Sequence, residues 1–285
     1  MKPVNILLIL VIVFALTSFT SKPVKDGYYQ PEKFVGKVKS VVRKDYVNWG
    51  KSDGILDNPL KWSSTIKSTF DEAGFEREIF GFNKTGRLIY SDTIKYDDKG
   101  HRLDRLFHNN NGTLFSRIKY KYDSLGQKID EVKYKKGYFL QERISYKYDE
   151  LGNCTEWNHY DSNEVFKFRQ VFTYDSFNNN IRMEWLWPHQ SDPSVKHVYR
   201  YNDKGQEVES KFYRQSDSLI NNTILTYDKR GNLLKTKSIY TKDKHLENQI
   251  NSYVYKYDKA GNWVRRAIKS KGKIGYLTIR TIEYY

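Results

Sequence analysis

Few of the side chains that carry catalysis in proteins occur in this sequence, and they are scattered along it. Its six histidines show no H-x-x-x-H spacing, so no metal site is expected. The single cysteine, Cys154, precedes His159 by five residues, which would place a nucleophile and its base on opposite faces of one strand. The sequence also lacks a G-x-S-x-G elbow, a phosphate-binding loop and a dinucleotide fingerprint. We therefore predict that the protein is not an enzyme and holds no cofactor or metal.

Aspartates recur often enough to suggest a carboxylate cluster, but their spacing indicates turns instead. Each follows a tyrosine and usually precedes a glycine by three residues, which is typical of a type I turn closed by a left-handed residue. Asn178 replaces glycine in one copy, and asparagine tolerates positive φ better than other side chains. We predict structural turn roles for Asp97, Gly100, Asp123, Gly126, Asp149, Gly152, Asp175, Asn178, Gly205, Asp228, Gly231, Asp258 and Gly261.

Aromatic side chains offer a different chemistry, because an exposed ring can stack on a sugar while polar neighbours bind its hydroxyl groups. Aromatic residues make up 16% of the chain and include 24 tyrosines. The rings that the repeated pattern explains least are Trp157, Trp185, Trp187 and Trp263, which are candidate binding residues unless they pack in a core. Trp185 and Trp187 stand at the start of residues 185–193, a segment that contains two prolines. This segment is predicted to be an exposed or cap-like loop.

Basic residues form a second candidate surface. Ring pairs such as Tyr146 and Tyr148 enclose a basic residue, here Lys147. Because side chains alternate across a strand, the rings should form a ladder on one face and the cations a file on the other. This cationic file comprises Lys95, Lys121, Lys147, Arg200 and Lys256. Within a net charge of +15, the file could protect sheet edges as a solvated surface or bind a polyanion.

The element that must position these residues is a repeat of about 26 residues. Each copy alternates apolar and polar residues and carries two turn signals, so each should form two strands. From Lys61 onward this pattern predicts about 17 strands in sequential antiparallel order. Open twisted sheets of more than about ten strands curl or split. We therefore predict an all-β fold in which a long antiparallel meander of two-stranded repeats curls into a superhelical or shell-like surface.

The turn sequences YDDKGH, YDSLGQ, YNDKGQ, YDKRGN and YDKAGN resemble the YD repeats of bacterial Rhs-type and teneurin-like proteins. The resemblance extends from Phe70 to Tyr285, and it implies a spiralling antiparallel sheet. Large members of that family enclose a toxin, but here the repeat is longer. The self-cleaving Asp-Pro-x-Gly-Leu motif is also missing, since Asp192-Pro193 continues with Ser194. We accordingly expect neither encapsulation nor toxin delivery.

The N-terminal region has a different composition. Residues 1–21, in which Lys2 precedes an apolar run, are predicted to be a signal peptide; an uncleaved anchor is the alternative and the only expected membrane attachment. No cysteine follows the run, so a lipoprotein is not expected. Residues 22–60 are predicted to form an N-terminal cap strand and loop, and residues 61–285 the repeat domain.

Together these features predict an exported, non-catalytic binding or scaffolding module, located in the periplasm, at the cell surface or outside the cell. Its partner would be an unidentified protein or a glycan of the envelope or the extracellular space, and no nucleic acid is expected because the chain is exported. Two alternatives specify the ligand. One is a polyanion or acidic glycan bound by the cationic file, and the other is a carbohydrate bound by the exposed aromatics.

Overall fold

The computed structural model describes residues 33–47, 61–189, 192–214, 217–242 and 245–285. The predicted signal peptide (residues 1–21), residues 22–32 and the loop predicted after the cap strand (residues 48–60) lie outside these ranges. The described residues form eighteen β-strands, seventeen of them from Lys61 onward: β1 (Val38–Val47), β2 (Lys61–Phe70), β3 (Glu76–Phe82), β4 (Leu88–Tyr96), β5 (Arg102–Asn109), β6 (Leu114–Tyr122), β7 (Lys128–Lys135), β8 (Phe139–Tyr148), β9 (Cys154–Tyr160), β10 (Phe166–Tyr174), β11 (Asn180–Leu186), β12 (Val195–Tyr201), β13 (Glu207–Arg214), β14 (Ser218–Tyr227), β15 (Leu233–Lys242), β16 (His245–Tyr257), β17 (Trp263–Ser270) and β18 (Lys273–Tyr284). These ranges contain no helical segment with the length and hydrophobicity of a membrane span.

The strands close into a single antiparallel barrel. Each strand pairs with the next along the chain, and β1 pairs on one side with β18, from Val38↔Tyr284 to Val47↔Tyr276, and on the other side with β2. The prediction of a meander that curls into a superhelical or shell-like surface is therefore wrong. The N-terminal strand, predicted to be a cap, supplies a partner for both β2 and β18, so that neither strand is left with an unpaired edge.

The turns after the marker tyrosines share one geometry, which Asp149 illustrates. Its Oδ1 accepts hydrogen bonds from the backbone N–H groups of Leu151 (3.0 Å) and Asn153 (2.8 Å), and its carbonyl accepts one from Gly152 (3.0 Å). Gly152 has φ 80°, and Asn178 adopts the same left-handed conformation, with φ 61°, in the next such turn. The register shifts by one residue beside the tyrosine, so each hairpin closes on a β-bulge.

The two faces of the sheet differ in their contents. The marker tyrosines lie on the face that we call inner, where the hydroxyl of Tyr174 donates to the carbonyl of Cys154 (2.7 Å) and that of Tyr227 to the carbonyl of Glu207 (2.7 Å). The same face holds a buried cluster of Tyr146, Cys154, Trp157, Phe172 and Met183. The outer face carries the basic residues that alternate with the tyrosines. The marker rings therefore lie inside the barrel and the basic file lies outside it. The inner face also holds charged groups, such as the ion pair of Arg105 with Asp92 (2.6 Å).

Candidate binding site

All five members of the cationic file lie on the outer face, as their alternation with the tyrosines requires. Most of them face an acidic residue on the following strand: Lys95↔Asp104, Lys121↔Asp130, Lys147↔Glu156 and Arg200↔Glu209. Two of these pairs are ion pairs, with Lys147 Nζ 2.9 Å from Glu156 and Arg200 Nη1 3.3 Å from Glu209. This part of the file is thus a row of alternating charge and not a continuous positive strip.

The four candidate tryptophans occupy three different environments. Trp157 is only 7% exposed, and its indole N–H donates to Cys154 Sγ (3.1 Å) inside the buried cluster. Trp263 lies under the guanidinium of Arg280, which is 3.2 Å from the ring centroid, with Arg266 4.9 Å away. Trp185 and Trp187 lie together at one end of the barrel, 5.8 Å apart. The structure thus separates Trp157 and Trp263 from that pair.

Trp187 belongs to a stack of rings that runs from the inner face to the rim. Phe168 is the centre of this stack, with His159 at 4.2 Å, Trp185 at 5.3 Å and Trp187 at 5.5 Å between ring centroids. His159 is fixed in turn by Gln170, whose Oε1 is 3.0 Å from its Nε2. Because the rings support one another, the indole of Trp187 is held in one orientation at the end of β11.

A hollow of about 280 Å³ opens on the outer face beside Trp187. Trp187, Pro188 and His189 directly follow β11 and line this hollow together with outer side chains of β8–β10. The register brings the polar lining together, since Lys147 faces Glu156 and Asn158 faces Arg169. We call this site the outer hollow; it is lined by Lys147, Glu156, Asn158, Phe166, Arg169, Leu186, Trp187, Pro188 and His189.

Glu156 is the central charge of the outer hollow. Burial alone would raise its pKa, but hydrogen bonds from Lys147 and Asn158 and the positive charge of Arg169 outweigh burial and lower the pKa. Its Oε2 is 2.9 Å from Lys147 Nζ and 3.4 Å from Asn158 Nδ2. The carboxylate is therefore ionised and held in place near neutral pH, as an acceptor surrounded by donors.

Cys154 and His159, the candidate nucleophile and base, contact different partners: Trp157 donates to Cys154 Sγ (3.1 Å), and His159 Nε2 lies 3.0 Å from Gln170 Oε1. Cys154 is buried, and burial raises the pKa of its thiol to about 11, so the thiolate that a nucleophile requires is scarce at neutral pH. Within the described ranges, no three His, Cys, Asp or Glu side chains converge on a point that could hold a metal ion. Among the described residues that line the outer hollow, Glu156 is the single carboxylate.

Sequence reasoning identified Trp187 and Lys147 but missed Glu156, Asn158, Phe166 and Arg169. Two signals for them were present. Glu156 and Asn158 alternate with Trp157 along β9, so they must lie on the outer face with Lys147. The loop that begins at Trp187 was predicted to be exposed, but its position over β8–β10 depends on long-range packing that alternation does not specify.

Comparison with known proteins gives weak similarities. No family model matches the chain, and no curated protein matches it. A crystal structure of a porin-like protein from Bacteroides uniformis ATCC 8492 has a TM-score of 0.46 at 9% identity, over 86% of this chain and 96% of that one. A porin-like protein from Bacteroides vulgatus ATCC 8482 gives 0.39 at 10% identity, over 87% and 98%.

A third similarity is to a structure described as TcdB2-TccC3 without the hypervariable C-terminal region. It has a TM-score of 0.37 at 13% identity and covers 84% of this chain but only 14% of that one. Similarities at these scores carry no functional conclusion. With no family model matched, the likeness to YD repeats is one of local sequence pattern.

Proposed function

We propose that this protein is an exported, non-catalytic binding protein of the cell envelope and that the outer hollow binds carbohydrate. The observation that supports the ligand class is the meeting of aromatic and fixed polar groups at one surface site. Trp187 and Phe166 supply ring surface, and Glu156, Asn158 and Arg169 supply hydrogen-bonding groups beside it. Export is supported by the signal peptide predicted in residues 1–21.

Carbohydrate fits this arrangement because a sugar has an apolar ring face and polar edges. The apolar face gains dispersion and hydrophobic contact on an indole, and the hydroxyls need donors and acceptors in fixed positions. Glu156 is already held by Lys147 and Asn158, so little side-chain freedom would be lost when a hydroxyl binds to it. The hollow is shallow and open, which suits an internal segment or the end of a glycan chain.

Binding of polyanions along the cationic file has less support from the geometry. A carboxylate on the neighbouring strand faces four of the five basic residues, so an approaching polyanion would meet both signs of charge at each step. In addition, Lys147 contributes its charge to holding Glu156. Of the two ligand alternatives that the sequence leaves open, the structure therefore favours the aromatic one at this side of the barrel.

The test is a glycan array probed with the protein and with Trp187→Ala, followed by titration of any hit at low and high salt. We expect salt-tolerant binding that falls at least about tenfold in Trp187→Ala, since stacked aromatics carry much of the affinity in such sites. Arg169→Ala, which leaves the ring stack intact, should weaken the same glycan. Tyr138→Ala removes another exposed ring near the same end and serves as the matched control. Equal losses in Trp187→Ala and Tyr138→Ala, or binding abolished by salt, would contradict the proposal.

A further inference from the structure

On the outer face of β14–β18 and β1, most basic side chains face one another or neutral residues, whereas Lys39 pairs with Glu283 (3.3 Å). Lys256 faces Arg265, and Lys235 and Lys269 both face Ser252. Neither these four basic residues nor Lys237 forms an ion pair with a described residue. This side of the barrel therefore carries positive charge that no described neighbour neutralises.

The opposite side of the barrel gives the contrast. Between β5 and β9 the outer basic residues meet carboxylates across the strands, as in Arg117–Asp104 (2.5 Å) and Arg143–Asp130 (2.8 Å). The net charge of +15 is therefore distributed unevenly around the barrel, and its excess is concentrated over β14–β18 and β1.

Aliphatic side chains separate the rows of cations on this face. Ile224 and Ile250 flank Lys237 across the strands, and Ile279 lies between Arg265 and Lys44. These aliphatic residues are well exposed for β-branched side chains, at 37% for Ile224, 42% for Ile250, 47% for Val254 and 37% for Ile279. We call the whole surface the cationic–apolar face: Lys44, Ile224, Lys235, Lys237, Ile250, Val254, Lys256, Arg265, Lys269 and Ile279.

We infer that the cationic–apolar face docks on an anionic phospholipid surface. A free polyanion would be attracted by the charges alone and would leave the aliphatic rows in water. A lipid interface satisfies both, because anionic headgroups meet the lysines and the aliphatic groups enter the boundary between headgroups and acyl chains. At about 4.8 Å between strands, the six strands of the face span about 24 Å, which is enough to contact several lipids at once.

Docking in this way would also orient the barrel. In a ring of eighteen strands, β9 and β10 lie almost halfway round from β17 and β18, so the outer hollow would face away from the lipid. The docking inference does not depend on what the outer hollow binds, and the two proposals can fail separately.

The test is co-sedimentation of the protein with phosphatidylcholine vesicles, with and without phosphatidylglycerol, at low and high salt. We expect binding only where phosphatidylglycerol is present. The double variant Lys237→Glu/Lys256→Glu should bind at least about tenfold more weakly. The matched control, Lys95→Glu/Lys121→Glu, changes the net charge equally on the salt-bridged side and should stay within about twofold of the parent. Thermal melting of each variant verifies that it is folded.

A second variant, Ile250→Ser/Val254→Ser, separates a lipid surface from a soluble polyanion. It removes aliphatic contact area, so it should lose vesicle binding. Because it keeps every charge, it should retain any weak binding to heparin. If this variant binds vesicles as the parent does, the face is a general polyanion site and the inference is overturned. Equal losses in the two charge-reversal variants, or absence of binding to phosphatidylglycerol vesicles, would overturn it as well.

Discussion

At the scale of single residues, the most unusual group is Glu207, at the start of β13. It is 9% exposed, and burial raises the pKa of its carboxyl to about 7, although a hydrogen bond from Ser210 acts in the opposite direction. In the unfolded chain the pKa of the same carboxyl is about 4.3. The folded protein therefore holds a proton that the unfolded chain has already released across this interval of pH.

This difference predicts that the contribution of Glu207 to the free energy of unfolding is fully present below about pH 4.3 and is lost as pH rises through about 7. The loss should approach about 4 kcal/mol, at about 1.4 kcal/mol for each of the roughly 2.7 pKa units between the two states. Glu207→Gln cannot ionise, so it should be more stable than the parent at pH 8 and similar at pH 4, as measured by urea denaturation. Glu150→Gln, at an exposed turn position, should leave the pH dependence unchanged. Parallel stability curves for the parent and Glu207→Gln would contradict this prediction.

The tryptophans show what the sequence can and cannot predict about single residues. Alternation along β9 correctly separates Trp157 from Glu156 and Asn158, because the side-chain period of a strand is two. It does not predict that Trp157 is covered by Tyr146 and Phe172, or that Trp263 is covered by Arg280. Those contacts join residues on different strands, and their closeness depends on register and closure.

At the scale of the hairpin, the turn glycines hold backbone conformations that other residues rarely adopt. Gly112 has φ +81°, and a Cβ at this position would meet nothing within 4 Å. Gly275 in β18 is equally open but is not in the left-handed region. Replacing each by alanine therefore separates the cost of the backbone conformation from that of a steric clash.

Gly112→Ala should lower the free energy of unfolding by about 1 kcal/mol, the typical cost of forcing a side chain into positive φ. Gly275→Ala should be neutral or slightly stabilising, because alanine loses less backbone entropy on folding. Denaturant titration of both variants measures the difference. Equal stability of the two would show that the turn after β5 does not require its left-handed residue.

The hairpins were the most predictable elements because their signals are local. Asp149 and Gly152 are three residues apart, and the hydrogen bonds that join their backbones are made within the same few residues. The irregular segment after Trp185 was less predictable. Its two prolines indicated an interrupted ladder, but the hollow that Trp187 lines is shared with outer residues of β8–β10 that lie up to about 40 positions away along the chain.

At the scale of the molecule, the repeat predicted the sequential antiparallel order but not its closure. An array of similar hairpins shows the same local pattern whether it is open or closed. The difference is made by β1, which carries no marker motif and was predicted to be a cap. Its side chains fit both neighbours: Asp45 accepts a hydrogen bond from Thr278 (3.0 Å) on β18 and lies 3.3 Å from the Ser64 hydroxyl on β2. The division into inner and outer faces, and with it both proposed sites, depends on this closure.

The most direct measurement is therefore a disulfide test of the seam between β1 and β18. Lys44 and Ile279 face each other on the outer face, and facing antiparallel residues are about 4.5–5.5 Å apart between Cα atoms, within disulfide range. In a Cys154→Ser background, Lys44→Cys/Ile279→Cys should oxidise within one molecule, as detected by mass spectrometry of proteolytic fragments. The distant pair Lys44→Cys/Lys121→Cys should remain reduced. If the seam pair also remains reduced while the protein is folded, β1 does not join β18, the sheet is open, and the account of both faces is wrong.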